Sequence, residues 1–235
     1  MISVPATKVP VITVDGPSGT GKGTICSYLA DWLQWHFLDS GALYRVLALA
    51  AEKHGISSDN EAALVALAEN LNVEFKVAGA GSLVDVELDS LTVTDEIRTE
   101  TCGNAASVIA PIAKVRQALL SRQRAFHLAP GLIADGRDMG TVVFPGATLK
   151  IYLTASAEER AKRRYKQLKE KGIDATLRDL SAAIAERDER DSTRAASPLK
   201  PAEDAIVIDT SKLDIDAVLE NISELVRNTV PGLQK

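Results

Sequence analysis

Between Asp15 and Thr24 the chain reads DGPSGTGKGT, four glycines around a single lysine, Lys22. Gly16, Gly21 and Lys22 fit the G-x-x-x-x-G-K frame of a phosphate-binding loop. In that frame Gly16, Pro17, Ser18, Gly19, Thr20, Gly21, Lys22, Gly23 and Thr24 would wrap the phosphates of ATP. The glycines let the backbone bend around oxygens, and successive N–H groups at a helix start then point at phosphate. Lys22 would bring a mobile point charge to the β- and γ-phosphates. The plainer alternative is a glycine-rich strand–helix turn with a surface lysine. The residue after Lys22 is Gly23, where the common pattern has a Ser or Thr that holds magnesium. Thr24, one residue further on, is the nearest hydroxyl and is better aimed at the α-phosphate. Mg2+ would therefore be held mainly by nucleotide oxygens and water, which suits its reluctance to dehydrate, with no residue expected as a direct ligand.

Three further stretches carry charge at useful spacings. DSGALYR (39–45) enters a helix with Ser40 at the N-cap, and capping alone would explain that serine. DGRDMG (135–140) follows an apolar run and sets Arg137 and Asp138 at a strand end. ERDERDSTR (186–194) places Arg187, Arg190, Asp191 and Arg194 on one helix face, which taken alone is a solvated charged surface. Eleven of the 14 arginines lie between Arg116 and Arg194, so an anion site can exist on a chain of net charge −5.

The elements that must hold these residues alternate. Residues 9–16, GLIADGRD, TLKIYLTA and AIVIDTS read as strands, with helical stretches between them. That order predicts a parallel sheet with helices on both faces. Ligands on such a sheet bind beyond the strands' carboxyl ends, where the turns at 15–24, 39–45 and 135–140 all fall. Residues 72–95 alternate apolar and polar around Gly79 and Gly81, the pattern of a small antiparallel insert. Two charged helices are expected at about 156–171 and 176–191.

Composition excludes several classes. Only 4% of residues are aromatic, too few for a base-stacking platform, and the acidic balance opposes general nucleic-acid or membrane-surface binding. Cys26 and Cys102 make no disulfide framework, and His36, His54 and His127 form no ligand cluster. No leader or membrane-spanning run is evident, so a cytoplasmic protein is expected.

GPSGTGKGT, LDSGALYRVLALAA, GLIADGRDMGTVVFP and ERDERDSTRA, in that order, closely resemble the bacterial cytidylate (CMP) kinases, over essentially the whole chain. The resemblance implies one P-loop kinase domain over 1–235, with a five-stranded parallel sheet, a β insert at 72–95 in the acceptor region and a helical lid at 156–176. It implies transfer of a phosphoryl group from ATP to CMP or dCMP, by a monomer that needs no nucleic acid or membrane. Position by position, Ser40, Ser107, Arg116 and Asp138 would surround the cytosine, Arg187 and Asp191 would reach the sugar, and Arg45, Arg137 and Arg194 would bind the acceptor phosphate. Arg160, Arg163 and Arg164 would be delivered to ATP by the lid. Lys22, Arg137, Arg164 and Arg194 would act on the group in transfer. Two rival readings stay open: a P-loop kinase for UMP, dTMP or another small acceptor, and a non-catalytic nucleotide- or RNA-binding module. The pair Arg116 and Asp138 weighs against the first, the retained lysine and arginines against the second.

Overall fold

The computed structural model describes residues 9–76, 84–170 and 172–230. The turn expected around Gly79 and Gly81 lies outside them. Among the described residues the main sheet has five parallel strands: β1 (Val11–Asp15), β2 (His36–Asp39), β6 (Leu132–Gly136), β7 (Leu149–Thr154) and β8 (Ile206–Asp209), in the order β2-β6-β1-β7-β8. The predicted α/β class with a parallel sheet is the one observed. Four of these strands correspond to the runs read from sequence. The fifth, β2, is only HFLD, too short for its periodicity to show.

The central strand β1 is buried along its whole length. Its pleat sorts the core: Ile12 and Val14 pack with Ile25, Leu29, Val218 and Ile222, while Val11 packs with Leu132, Met139, Val143 and Phe144. Helices α1 (Lys22–Leu33) and α8 (Ile215–Thr229) thus cover one face. The same alternation assigns the strand-end acids. Asp135, two residues beyond Ile133, belongs to the α1 face, and Asp15, in step with Val11 and Thr13, belongs to the other. Register completes the picture, setting Asp39 opposite Asp135 and Asp15 opposite Gly136.

A second cluster joins α2 (Ser40–Lys53), α3 (Glu61–Glu69), α4 (Glu100–Ile109) and α5 (Ala113–Ala125) to a small antiparallel sheet. That sheet comprises β3 (Val73–Lys76), β4 (Asp85–Leu88) and β5 (Leu91–Thr92), and it buries Val73, Val86 and Leu88 on alternate positions. The charged helices are α6 (Ala157–Glu170) and α7 (Leu177–Thr193). One local expectation needs correction. Asp39, not Ser40, caps α2, its carboxylate accepting the Ala42 N–H at 2.8 Å, and Ser40 is the first helical residue. Arg194 is the C-cap of α7, where the chain turns off the helix with ψ at 136°, and its Nε donates to the Ser197 carbonyl. Among the described residues no helix is long and apolar enough to cross a membrane.

Candidate active site

The loop between β1 and α1 has the form an anion needs. Gly16 has φ at +145° and lies so near β7 that a Cβ would sit 2.0 Å from the Leu153 carbonyl oxygen. Gly21, at φ +94°, is the cap of α1 and offers no side chain to it, so the first N–H groups of the helix remain available to an oxyanion. Lys22 is buried, and its ammonium donates to the Pro17 carbonyl at 2.7 Å, curled over its own loop. Burial, then the nearby charge of Arg137, push its pKa down. Besides that carbonyl it meets the Thr20 hydroxyl at 3.5 Å and the field of Asp135, and a phosphate would compensate it further.

Behind the loop sits a brace. Arg160 is 4% exposed, donates to the Ser18 carbonyl at 3.3 Å and grips Asp188 of α7 with both terminal nitrogens. Arg163 donates to the Thr210 hydroxyl and carbonyl, and Thr210 in turn donates to the carbonyl of Thr20. These two arginines thus fasten α6 to the loop's frame. Arg164 instead reaches from α6 to Glu100 at the start of α4.

Ahead of the loop the cations gather. Arg137 is largely buried; Asp191, which accepts from its Nε at 3.0 Å, and Asp135 outweigh burial and hold its pKa above the usual value. Arg187 is lowered to about 10, first by burial and then by Arg137. Arg45 donates to the carbonyls of Ile97 and Thr99, and burial lowers its pKa too. Burial and the charge of Arg116 do the same to Arg194. Nε of Arg187 and Nη2 of Arg194 are buried without a hydrogen-bond partner among the described residues. Like charges crowded in a low dielectric, with unpaired donors among them, make a site suited to an anion.

Beside this cluster opens a cavity of about 170 Å3, lined among others by Arg116, Gln123, Asp138, Val143 and Ser197. Arg116 and Asp138 form an ion pair across it; Arg116 also donates to the Ala110 carbonyl and lies 5.7 Å from the Tyr44 ring centre. Of the other two residues expected at the base, Ser40 accepts a hydrogen bond from Gln123 Nε2 at 2.9 Å. Ser107 donates to the Gly103 carbonyl within α4. Neither is among the residues lining the cavity.

Some residues here were not singled out in the sequence. Gln123 is 3% exposed, on the i, i+4, i+8 row of Val115 and Leu119, so a polar residue on a buried stripe was its signal. Asp15 and Asp135 each close an otherwise apolar strand, VITVD and LIADG. Burial raises the pKa of Asp15 to about 6, against the N–H groups of Gly140 and Met139 that favour its charge. Burial also raises Asp135, and Lys22 opposes it. A Cβ on Gly23 would stand 4.0 Å from Asp135 Oδ2, so the space beside the lysine step faces a carboxylate.

Comparison with known proteins gives the family. The family model described as cytidylate kinase matches residues 12–228. A cytidylate kinase of Shewanella frigidimarina is 60% identical over 217 residues, covering 92% of this chain and 95% of that one. One from Aeromonas hydrophila is 61% identical over 213 residues, covering 91% and 92%. In fold alone, the chain resembles the crystal structure of an uncharacterized protein from Eubacterium ventriosum, at a TM-score of 0.50 and 10% identity over 94% of this chain and 99% of that one. The chain belongs to the cytidylate kinase family.

Proposed function

We propose that this protein moves the γ-phosphoryl group of ATP to CMP or dCMP, giving ADP and CDP or dCDP. The observation that carries this reading is the Arg116–Asp138 pair lining a cavity beside the arginine cluster. Cytosine offers a donor at N4 where uracil offers an O4 acceptor, so a carboxylate favours cytosine. Facing uracil, the Asp138 oxygen offered to the base would meet an acceptor in place of a donor, at a cost of roughly 1–3 kcal/mol. The planar fork of Arg116 can donate to O2 or N3 of the base. Gln123, which lines the cavity and donates to Ser40, is a further polar side chain near the base, and Ser40 and Ser107 keep their proposed places beside it.

The nucleophile is an oxygen of the acceptor phosphate, already ionised near neutral pH, so no general base is required. The bond from the γ-phosphorus to the β–γ bridging oxygen breaks as the bond to the acceptor oxygen forms, and ADP leaves with the electron pair. Lys22, freed from Pro17, follows the charge on the β- and γ-oxygens. Arg45, Arg137 and Arg194 hold the acceptor phosphate, Arg187 and Asp191 the sugar, and Arg164 on the α6 lid reaches the group in transfer. The residues present fit a hydrated Mg2+. With no hydroxyl at Gly23, the buried Asp135 carboxylate would accept from the waters of such an ion, whose chemistry when bound would be neutralisation of phosphate charge.

Substrates of this kind suit a cytoplasmic monomer acting without nucleic acid or membrane. The deciding assay is magnesium-dependent formation of CDP from CMP and ATP, run beside UMP, dCMP and dTMP. A preference for UMP or dTMP would overturn the acceptor assignment. In Asp138→Ala the CMP:UMP ratio of kcat/KM should fall by about tenfold or more; an unchanged ratio would remove Asp138 from base selection.

A further inference from the structure

The helical turn after Asp138 is capped from another strand. Residues Met139–Val143 form a π-type turn, closed by the Phe144 N–H on the Met139 carbonyl at 2.7 Å and the Val143 N–H on the Asp138 carbonyl at 3.2 Å. Its first N–H groups, on Met139 and Gly140, have no partner inside the turn. Asp138 stands in the N-cap position, where an aspartate ordinarily folds back onto such groups, yet it makes no capping bond. Its carboxylate is turned to Arg116 instead. The cap comes from Asp15, at the end of β1 on the face that meets this turn. Asp15 Oδ1 accepts the N–H of Met139 and Oδ2 that of Gly140, each at 2.8 Å, across 124 and 125 residues of chain. Gly140 permits the approach: a Cβ there would lie 3.0 Å from Thr13 Oγ1 and 3.4 Å from Asp15 Oδ2. Met139 itself is fully buried against Val11, Leu132 and Phe144, so backbone and side chain fix the turn together.

We infer that Asp15 is a positioning residue for acceptor selection: by capping the turn in place of Asp138, it leaves the Asp138 carboxylate free to read the base. The inference rests on the proposed role of Asp138. Asp15 is also the residue before Gly16, so one side chain ties the donor loop's root to the acceptor reader. A purely structural Asp15 would affect both substrates alike; a cap substitute affects the acceptor.

The test is Asp15→Asn, which keeps shape but offers an N–H where one of the two acceptors stood. Expected are a rise of about tenfold in KM for CMP, a fall in the CMP:UMP ratio, and a KM for ATP changed less than about twofold. In a cycle with Asp138→Ala the effect of Asp15→Asn on the CMP:UMP ratio should vanish, because both changes act through one carboxylate. Parallel shifts in both KM values, or additive losses in the cycle, would overturn the inference. If Asp138→Ala alone leaves the ratio unchanged, the failure is instead that of the proposed base reader. Should Asp15→Asn not fold, Gly140→Ala, which presses on the same contact, must give the acceptor-selective loss; equal losses toward ATP and CMP would again refute the role.

Discussion

Arg187 shows what the site costs the unliganded molecule. Its guanidinium is buried beside Arg137, and its pKa is lowered to about 10 from an ordinary 12.5. A base depressed in this way is most compatible with folding above its unfolded pKa. That advantage is lost as pH falls through about 10, so at neutral pH the whole penalty is present. Arg187→Met keeps much of the apolar stem and removes the charge, and Asp191 retains Arg137 as its partner. The expected result is a gain of ~3 °C in Tm of the ligand-free protein at pH 7 by calorimetry, with turnover reduced about a hundredfold. A fall in Tm would mean that Arg187 is held for the fold. Adding CMP should reverse the order, because the wild-type cluster gains most from the acceptor's anion.

Arg160 and Arg164 lie one turn apart on α6 and serve that helix differently. Arg164 is about one-third exposed, and its partner Glu100 is 64% exposed, so the pair contributes little and can be exchanged for phosphate. Arg160 is buried, and its loss would strip Asp188 and the Ser18 carbonyl together. Arg164→Met is therefore expected to lower kcat at least about tenfold with Tm held within roughly 1 °C. Arg160→Met should lower Tm by roughly 5 °C or more. Equal Tm losses would merge the two roles. The sequence made both helices legible through their charge and length, but not which arginine points where, since i, i+3 and i+4 spacing leaves neighbours to tertiary packing. The same limit applied to α2, where Asp39 and Ser40 both suit a cap, and register with β6 decided for Asp39. HFLD held too few residues to announce a strand.

At the scale of the whole molecule, the donor loop could be read directly because all its parts lie within ten residues. The proposed acceptor side draws on α2, α4, α5, the turn after β6 and the end of α7, so its charged motifs were visible but their geometry was not. Asp15 and Asp135 stayed hidden because a strand-end carboxylate acquires meaning only from which sheet face it occupies. That distribution has a consequence for catalysis. Arg137 lowers the pKa of both Lys22 and Arg187, and Arg45 lowers that of Arg187, so on the proposed assignment the site is electrostatically complete only when donor and acceptor phosphates are both bound. ATP alone leaves the acceptor arginines unneutralised and water able to enter, and closure should wait for the second anion. ADP release from ATP without acceptor is thus expected at least about a thousandfold below the rate with CMP. Cytidine, which fills the base cavity but brings no phosphate, should leave that slow hydrolysis unchanged. Stimulation by cytidine would place the trigger in base recognition around Asp138, whereas fast hydrolysis with ATP alone would show that closure does not depend on the acceptor.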